Sequence, residues 1–178
     1  MKRIVSVSLG SSSRDHHVMT KIGDEEFLIE RIGTDGDYGK AIAMIRELDG
    51  KVDAFGMGGI SIYLYGKDNR RYILKSALPI LKAAGSTPMT DGSGLKNTLE
   101  RHVVRYLKEE LHIPLERQTV LMVCGMERLG MAETFSRMGC RTIYGDFMFV
   151  LDMPIPIYTL EGLHRAASVL MPVIRRLP

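Results

Sequence analysis

Three short stretches of this sequence carry side chains whose types and spacing could do chemistry. The first is Gly125-Met-Glu-Arg-Leu-Gly130, followed 21 residues after Gly125 by Asp146. It matches part of the dinucleotide fingerprint G-x-G-x-x-G. There the first glycine permits a tight turn, the middle one lets a pyrophosphate touch backbone N–H groups at a helix N-terminus, and the last lets the helix pack closely on its strand. Glu127 stands where the middle glycine belongs, and its carboxylate opposes phosphate. Asp146 has the spacing of the acid that bonds a ribose 2′-hydroxyl, which points to NAD rather than NADP. Gly125, Glu127, Gly130 and Asp146 are therefore the expected cofactor-binding residues; the competing reading is an α/β turn that uses its glycines for geometry alone.

The second stretch is Ser11-Ser-Ser13, a run of hydroxyls that either meets a polar ligand or forms a turn with local hydroxyl-to-backbone bonds. The third is Asp15-His16-His17. These are ligand types for zinc or manganese, but adjacent residues on a strand point to opposite faces, so no metal site is expected. Asp35 and Asp37 read as a turn and a helix cap. Cys124, at a strand end ahead of a helix, has no base beside it in sequence and reads as a packed thiol.

The elements that must position these groups follow from periodicity. Ile4–Leu9 alternates apolar residues with serines, as a half-buried strand does. His17–Ile22 and Glu26–Ile32, around Gly23-Asp24, pair as a hairpin. Apolar residues at helical spacing from Tyr38 to Leu48 predict a helix capped by Asp37 and ended by Gly50. Val52–Phe55 predicts a short strand, Ile60–Tyr65 and Arg71–Leu74 a hairpin turning through Gly66-Lys-Asp-Asn69, and Ser76–Ala84 a helix. Pro88–Thr90 is extended. Leu95, Leu99, Val103, Leu107 and Leu111 repeat every four residues, which predicts one long helix burying those leucines and showing Arg101, Arg105, Lys108 and Glu109 to solvent. Strand Thr119–Cys124, helix Met131–Met138 and strand Arg141–Tyr144 make a βαβ unit. Leu160–Ile174 is a last helix carrying Pro172. A parallel sheet begun at residue 119 has few strands left to finish it, so either the chain is part of a longer protein or a partner chain completes it, as in a homodimer.

Thr90-Asp-Gly-Ser-Gly-Leu, the helix after it, Gln-Thr-Val-Leu-Met-Val-Cys-Gly and Met-Ala-Glu-Thr-Phe together resemble the interdomain stretch of shikimate and quinate dehydrogenases, over residues 88–146. The resemblance implies a substrate domain, a crossing helix and a nucleotide domain in that order, with hydride passing between NAD and a polyhydroxy carboxylate. It makes Asp91 the catalytic and substrate-binding aspartate, with Thr90, Ser11 and Ser13 also at the substrate. Asp91 read by itself is a turn or N-cap aspartate. The chain departs from the family at Met89, where the family has Asn. It departs again at Ala54-Phe-Gly-Met-Gly-Gly59, where the family carries the lysine that assists proton transfer. A proton acceptor is then left to Asp91 or to a lysine arriving from elsewhere, such as Lys75. A non-catalytic ligand-binding or regulatory protein of the same architecture is the alternative.

Composition bounds these readings. The 178 residues carry 24 Lys and Arg against 21 Asp and Glu, a net charge of +3, too small and scattered for a nucleic-acid footprint. No apolar run reaches the roughly 18–20 residues of a membrane span. Two cysteines make neither a disulfide framework nor a zinc site, so a cytoplasmic protein acting on a small molecule is expected. The overall expectation is an α/β protein with a mixed substrate-type domain over 1–94, a connecting helix over 95–114 and an incomplete Rossmann-like portion over 115–178.

Overall fold

The computed structural model describes residues 1–66 and 70–176. The turn expected through Gly66-Lys-Asp-Asn69 falls largely on residues 67–69, outside the described residues. The fold is α/β, and the described residues divide into two compact units: Met1–Tyr63 with Ile73–Gly92, and Leu64–Tyr72 with Ser93–Arg176.

The first unit holds a five-stranded sheet. Strands β1 (Lys2–Ser8), β2 (His16–Ile22), β3 (Glu25–Gly33), β4 (Ala54–Gly58) and β7 (Met89–Thr90) lie in the order β2-β3-β1-β4-β7. β3, β1, β4 and β7 are parallel, and β2 returns antiparallel along β3 through Gly23, whose φ is +62°. The period-2 pattern of β1 decides its two faces. Val5 and Val7 lie level with Phe55 and Met57 and are buried with Ala41 and Ile45 of α1 (Tyr38–Leu48) and Ile80 and Ala83 of α2 (Leu78–Ala83). Asp37 caps α1 by accepting from the Lys40 N–H at 2.8 Å.

On the other face, Ser6 and Ser8 lie level with Gly56 and Gly58. A Cβ on Gly58 would stand 2.8 Å from that of Ser8, so the neighbouring strand can carry nothing larger than glycine there. This pairing also moves the strand expected at 52–55 onward to Ala54–Gly58, whose glycines are its closest approach to β1. The helix expected at 76–84 begins as a 3-10 turn, Lys75–Ala77, and becomes α2 with Pro79 in its first turn, where a missing N–H costs nothing. Between β4 and α2 lie β5 (Tyr63–Tyr65) and β6 (Arg71–Ile73), a two-stranded sheet.

The second unit contains α3 (Ser93–Asn97), α4 (Leu99–Glu109), β8 (Thr119–Met122), α5 (Leu129–Arg137), β9 (Arg141–Tyr144) and α6 (Leu160–Ile174). β8 and β9 pair in parallel, with Met122 level with Tyr144, so the expected βαβ unit is formed; an antiparallel bridge joins Tyr144 to Ile157 beyond β9. Its core brings together Val104, Leu129, Ala132, Phe135, Tyr144, Leu163, Ala167 and Met171. Among the described residues no helix is long and apolar enough to cross a membrane.

The long helix expected after Asp91 is corrected twice. It breaks at Thr98 into α3 and α4, and residues 95–114, expected as a connector, belong to the second unit. Its faces are also partly exchanged, although Leu107 packs against the core and Arg105 and Glu109 are exposed as expected. Val104 is buried and Arg101 is largely enclosed, with a guanidinium 2.8 Å from Glu133 of α5, whereas Leu95, Leu99, Val103 and Leu111 are exposed. Glu100 likewise turns inward to pair with Arg128. Ion pairs between α4 and the Arg128–Glu133 segment set the rotation of the helix, and the leucine stripe is left to solvent.

Candidate functional site

Two places gather the expected site residues, one in each unit. In the second unit, β9 ends at Tyr144, and Gly145 after it delivers Asp146 beneath the loop that follows β8. The two carboxylate oxygens of Asp146 accept from the backbone N–H groups of Gly125 at 2.9 Å and Met126 at 2.8 Å. The side chain is only 3% exposed. A Cβ on Gly125 would lie 2.7 Å from the Tyr144 ring and 3.0 Å from Leu163, so this glycine answers to packing. Gly130 does too, against a different neighbour: its Cβ would meet Nε of Arg101 at 2.8 Å, so the last glycine of the pattern admits helix α4 rather than a strand. Glu127 forms an ion pair with Lys96, and Arg128 with Glu100.

These residues do not fit a dinucleotide held in the expected way. The acid expected at a ribose is committed to the backbone, both of its oxygens accepting from the Gly125 and Met126 N–H groups, and Glu127 sets a negative charge where a pyrophosphate would lie. Asp146 is buried under the loop. Cys124 sits beside this loop, and burial, reinforced by the charges of Asp146 and Glu127, pushes its thiol up to about 11. That makes it a poor nucleophile near neutral pH.

In the first unit, the carboxyl ends of β1, β3, β4 and β7 share one edge of the sheet, which is where open α/β sheets bind ligands. Ser11 caps a 3-10 turn, Ser12–Arg14, accepting from the Ser13 N–H at 3.2 Å and lying 2.8 Å from the Ser13 hydroxyl. Asp35, at φ +53°, accepts from the Ser12 N–H at 2.7 Å; this bond holds its carboxyl below the ordinary value.

Arg31 donates to Ser8 Oγ at 3.1 Å, to the Ser11 carbonyl at 3.0 Å and to Asp15 at 2.9 Å. A Cβ on Gly10 would stand 3.0 Å from a terminal guanidinium nitrogen of each of Arg14 and Arg31. Two cations therefore converge over a bare glycine beside exposed Ser11 and Ser13. The sequence reading missed both arginines. The signal available was Arg31 two residues before Gly33, in phase with the serine face of β1.

Thr90 and Asp91 lie at the same sheet edge, at the end of β7. One oxygen of Asp91 accepts from the N–H groups of Ile62 at 2.5 Å and Tyr63 at 3.1 Å. Asp91 thus pins the segment after β4, where a helix cap was the simplest reading of it. His16 and His17 occupy adjacent, opposite-facing positions on β2, and His16 Nδ1 lies 2.9 Å from the Arg14 carbonyl. Among the described residues no three His, Cys, Asp or Glu side chains are grouped to hold a metal ion.

Comparison with known families divides the chain at the same place as its fold. Residues 3–91, half of the chain, match the model of a family described as a domain of unknown function, DUF8753. The chain belongs to this family. Residues 94–178 match a second model, also described as a domain of unknown function, DUF8754. The junction between the two matches falls beside the Gly92–Ser93 boundary of the compact units. No curated protein and no solved structure matches the chain.

Proposed function

We propose that this chain is a non-catalytic ligand-binding or regulatory protein whose ligand is a small polyhydroxy carboxylate. The observation that carries the reading is the Asp146 clamp, which commits to the Gly125 and Met126 N–H groups the acid that a dinucleotide's ribose would require. The ligand class rests on the sheet edge of the first unit. Arg14 and Arg31 supply charge for a carboxylate, and Ser11 and Ser13 supply hydroxyls for a polyol. Ala54–Gly59, a strand and its turn, brings no lysine to that edge to take a proton from a substrate hydroxyl.

Titration calorimetry with quinate and shikimate is the direct test. The reading expects binding of at least one, weakened about tenfold or more in Arg14→Ala by the loss of a charge-assisted contact. It also expects no NAD-dependent turnover by the unmodified chain. Quinate- or shikimate-dependent reduction of NAD would overturn it, and so would failure to bind any such carboxylate.

The second reading, an oxidoreductase passing hydride between NAD and a polyhydroxy carboxylate, is favoured by one observation. Parallel β8, α5 and β9 follow the strand, glycine turn, helix, strand, acid order of nucleotide-binding units. It requires Asp146 to release Gly125 and Met126. Under that reading Glu127→Gly strengthens NAD binding; under the first, neither the parent chain nor the variant binds NAD at millimolar concentration.

A further inference from the structure

The two arginines that converge over Gly10 are not equivalent. Arg31 spends three of its four terminal N–H groups inside the fold, on Ser8 Oγ at 3.1 Å, the Ser11 carbonyl at 3.0 Å and Asp15 at 2.9 Å. Asp15 also accepts from the Gly33 N–H at 2.6 Å, so its carboxylate is held against that guanidinium by a second bond. The Arg31 side chain is 18% exposed, and beyond the short separation of the pair its charge and that of Asp15 largely cancel. Arg14 is exposed, and its guanidinium forms no ion pair among the described residues.

The other charges beside this loop are spoken for. Asp35 accepts from the Ser12 N–H and is attracted by Lys40, and Asp37 is spent on the N-terminus of α1. His16 turns Nδ1 to the Arg14 carbonyl. With Arg31 matched by Asp15 and Asp35 by Lys40, Arg14 is left as the uncompensated charge of this edge among the described residues. We infer that the edge accepts one negative charge and no more, so that its ligand is a monocarboxylate bearing hydroxyls, and that Asp15, by cancelling Arg31, is the residue that discriminates against a phosphate ester. This inference rests on the ligand reading given above and sharpens it. A carboxylate brings one charge and two oxygens, which the remaining terminal N–H of Arg31 and the free fork of Arg14 can share over the bare Gly10. A phosphate monoester carries about −1.5 to −2 at pH 7, and its second charge meets Asp15 and Asp35 with no free cation to offset them.

Calorimetry of the full chain with gluconate and glucose 6-phosphate, polyols that end in a carboxylate and in a phosphate ester, tests it beside quinate and shikimate. The carboxylate that binds is expected to bind about tenfold or more tightly than glucose 6-phosphate at pH 7. Asp15→Asn keeps an oxygen acceptor for Gly33 and Arg31 but removes the charge. It is expected to narrow that gap about tenfold, through tighter binding of glucose 6-phosphate, with the unfolding midpoint little changed. A parent chain that binds a carboxylate and glucose 6-phosphate equally well overturns the single-charge selection and leaves the ligand reading standing. So does a gap that the folded Asp15→Asn variant leaves unchanged. If that variant does not fold, the preference of the parent chain decides by itself. Failure to bind quinate, shikimate or gluconate overturns both the selection and the ligand reading.

Discussion

The carboxylate of Asp146 and the backbone N–H of Gly125, 21 residues apart in the chain, lie 2.9 Å from each other in the interior of the second unit. Within a sequence pattern that reads as a cofactor site, this bond makes a structural closure. The acid at the end of β9 grips the loop after β8, so the two strands of the βαβ unit are tied at their carboxyl ends.

Asp146→Ala removes the partner of two N–H groups at once, those of Gly125 and Met126. Leaving buried donors unsatisfied costs about 1–3 kcal/mol each, so the variant is expected to lose about 2–6 kcal/mol in urea unfolding. An acid whose role was to meet a ribose from solvent would change stability by less than about 0.5 kcal/mol. The unfolding midpoint, with the slope unchanged, discriminates between them.

Asp91 gives a graded prediction. Its single oxygen serves both Ile62 and Tyr63, and the amide oxygen of Asn can take that position as a neutral acceptor. Asp91→Asn is expected to cost about 1 kcal/mol and Asp91→Ala about 2–3 kcal/mol, following the difference between charged and neutral acceptors and the penalty for none. Equal effects of the two substitutions would show that the carboxylate does not hold this segment.

Acid sensitivity should centre on Asp35 and Asp49. Asp49 accepts from the Thr87 N–H at 2.8 Å and the Ser86 N–H at 3.1 Å, and the Thr87 bond foremost holds its carboxyl below the ordinary value; Asp35 is held down by the Ser12 N–H. A carboxyl depressed in the folded state binds protons more readily when unfolded. Its contribution is present in full above the unfolded value, near 3.8, and is lost as pH falls through and below it. Unfolding midpoints measured from pH 6 to pH 2 should therefore drop less steeply in Asp49→Asn than in the parent, while the variant is less stable at pH 6. An acid limb identical in parent and variant would contradict the assignment.

Burial that pushes Cys124 up to about 11 leaves about one thiolate in a thousand at pH 8, and burial raises Cys140 as well. Both thiols are expected to react slowly with an aromatic disulfide reagent in the native chain and at once in urea. Rapid native labelling of Cys124 would show an accessible, activated thiol at the Gly125 loop.

Period and punctuation in the sequence were sufficient to determine most of the elements. The serine alternation of Ile4–Leu9, the Asp37 cap, Gly23 and Gly139 in left-handed turns, and the strand–helix–strand order of 119–144 depend on neighbours within a few residues, and the structure follows them. Tertiary structure decided the partners. Whether Asp146 meets a ligand or the loop 21 residues earlier depends on how deeply β9 sits under that loop. That Gly56 and Gly58 carry the strand onward beyond Phe55 depends on serines in β1 some fifty residues away. The rotation of α4 is the plainest case. Its leucines repeat with a helical period, which establishes that a helix forms but not which neighbour it meets. Glu133 and Arg128, placed opposite Arg101 and Glu100 by the packing of α5, turned those two charges inward and left Leu99 and Val103 outward. Hydrophobic periodicity is a local property of one segment, whereas the pairing of buried charges is a relation between two, and only the folded chain brings those two together.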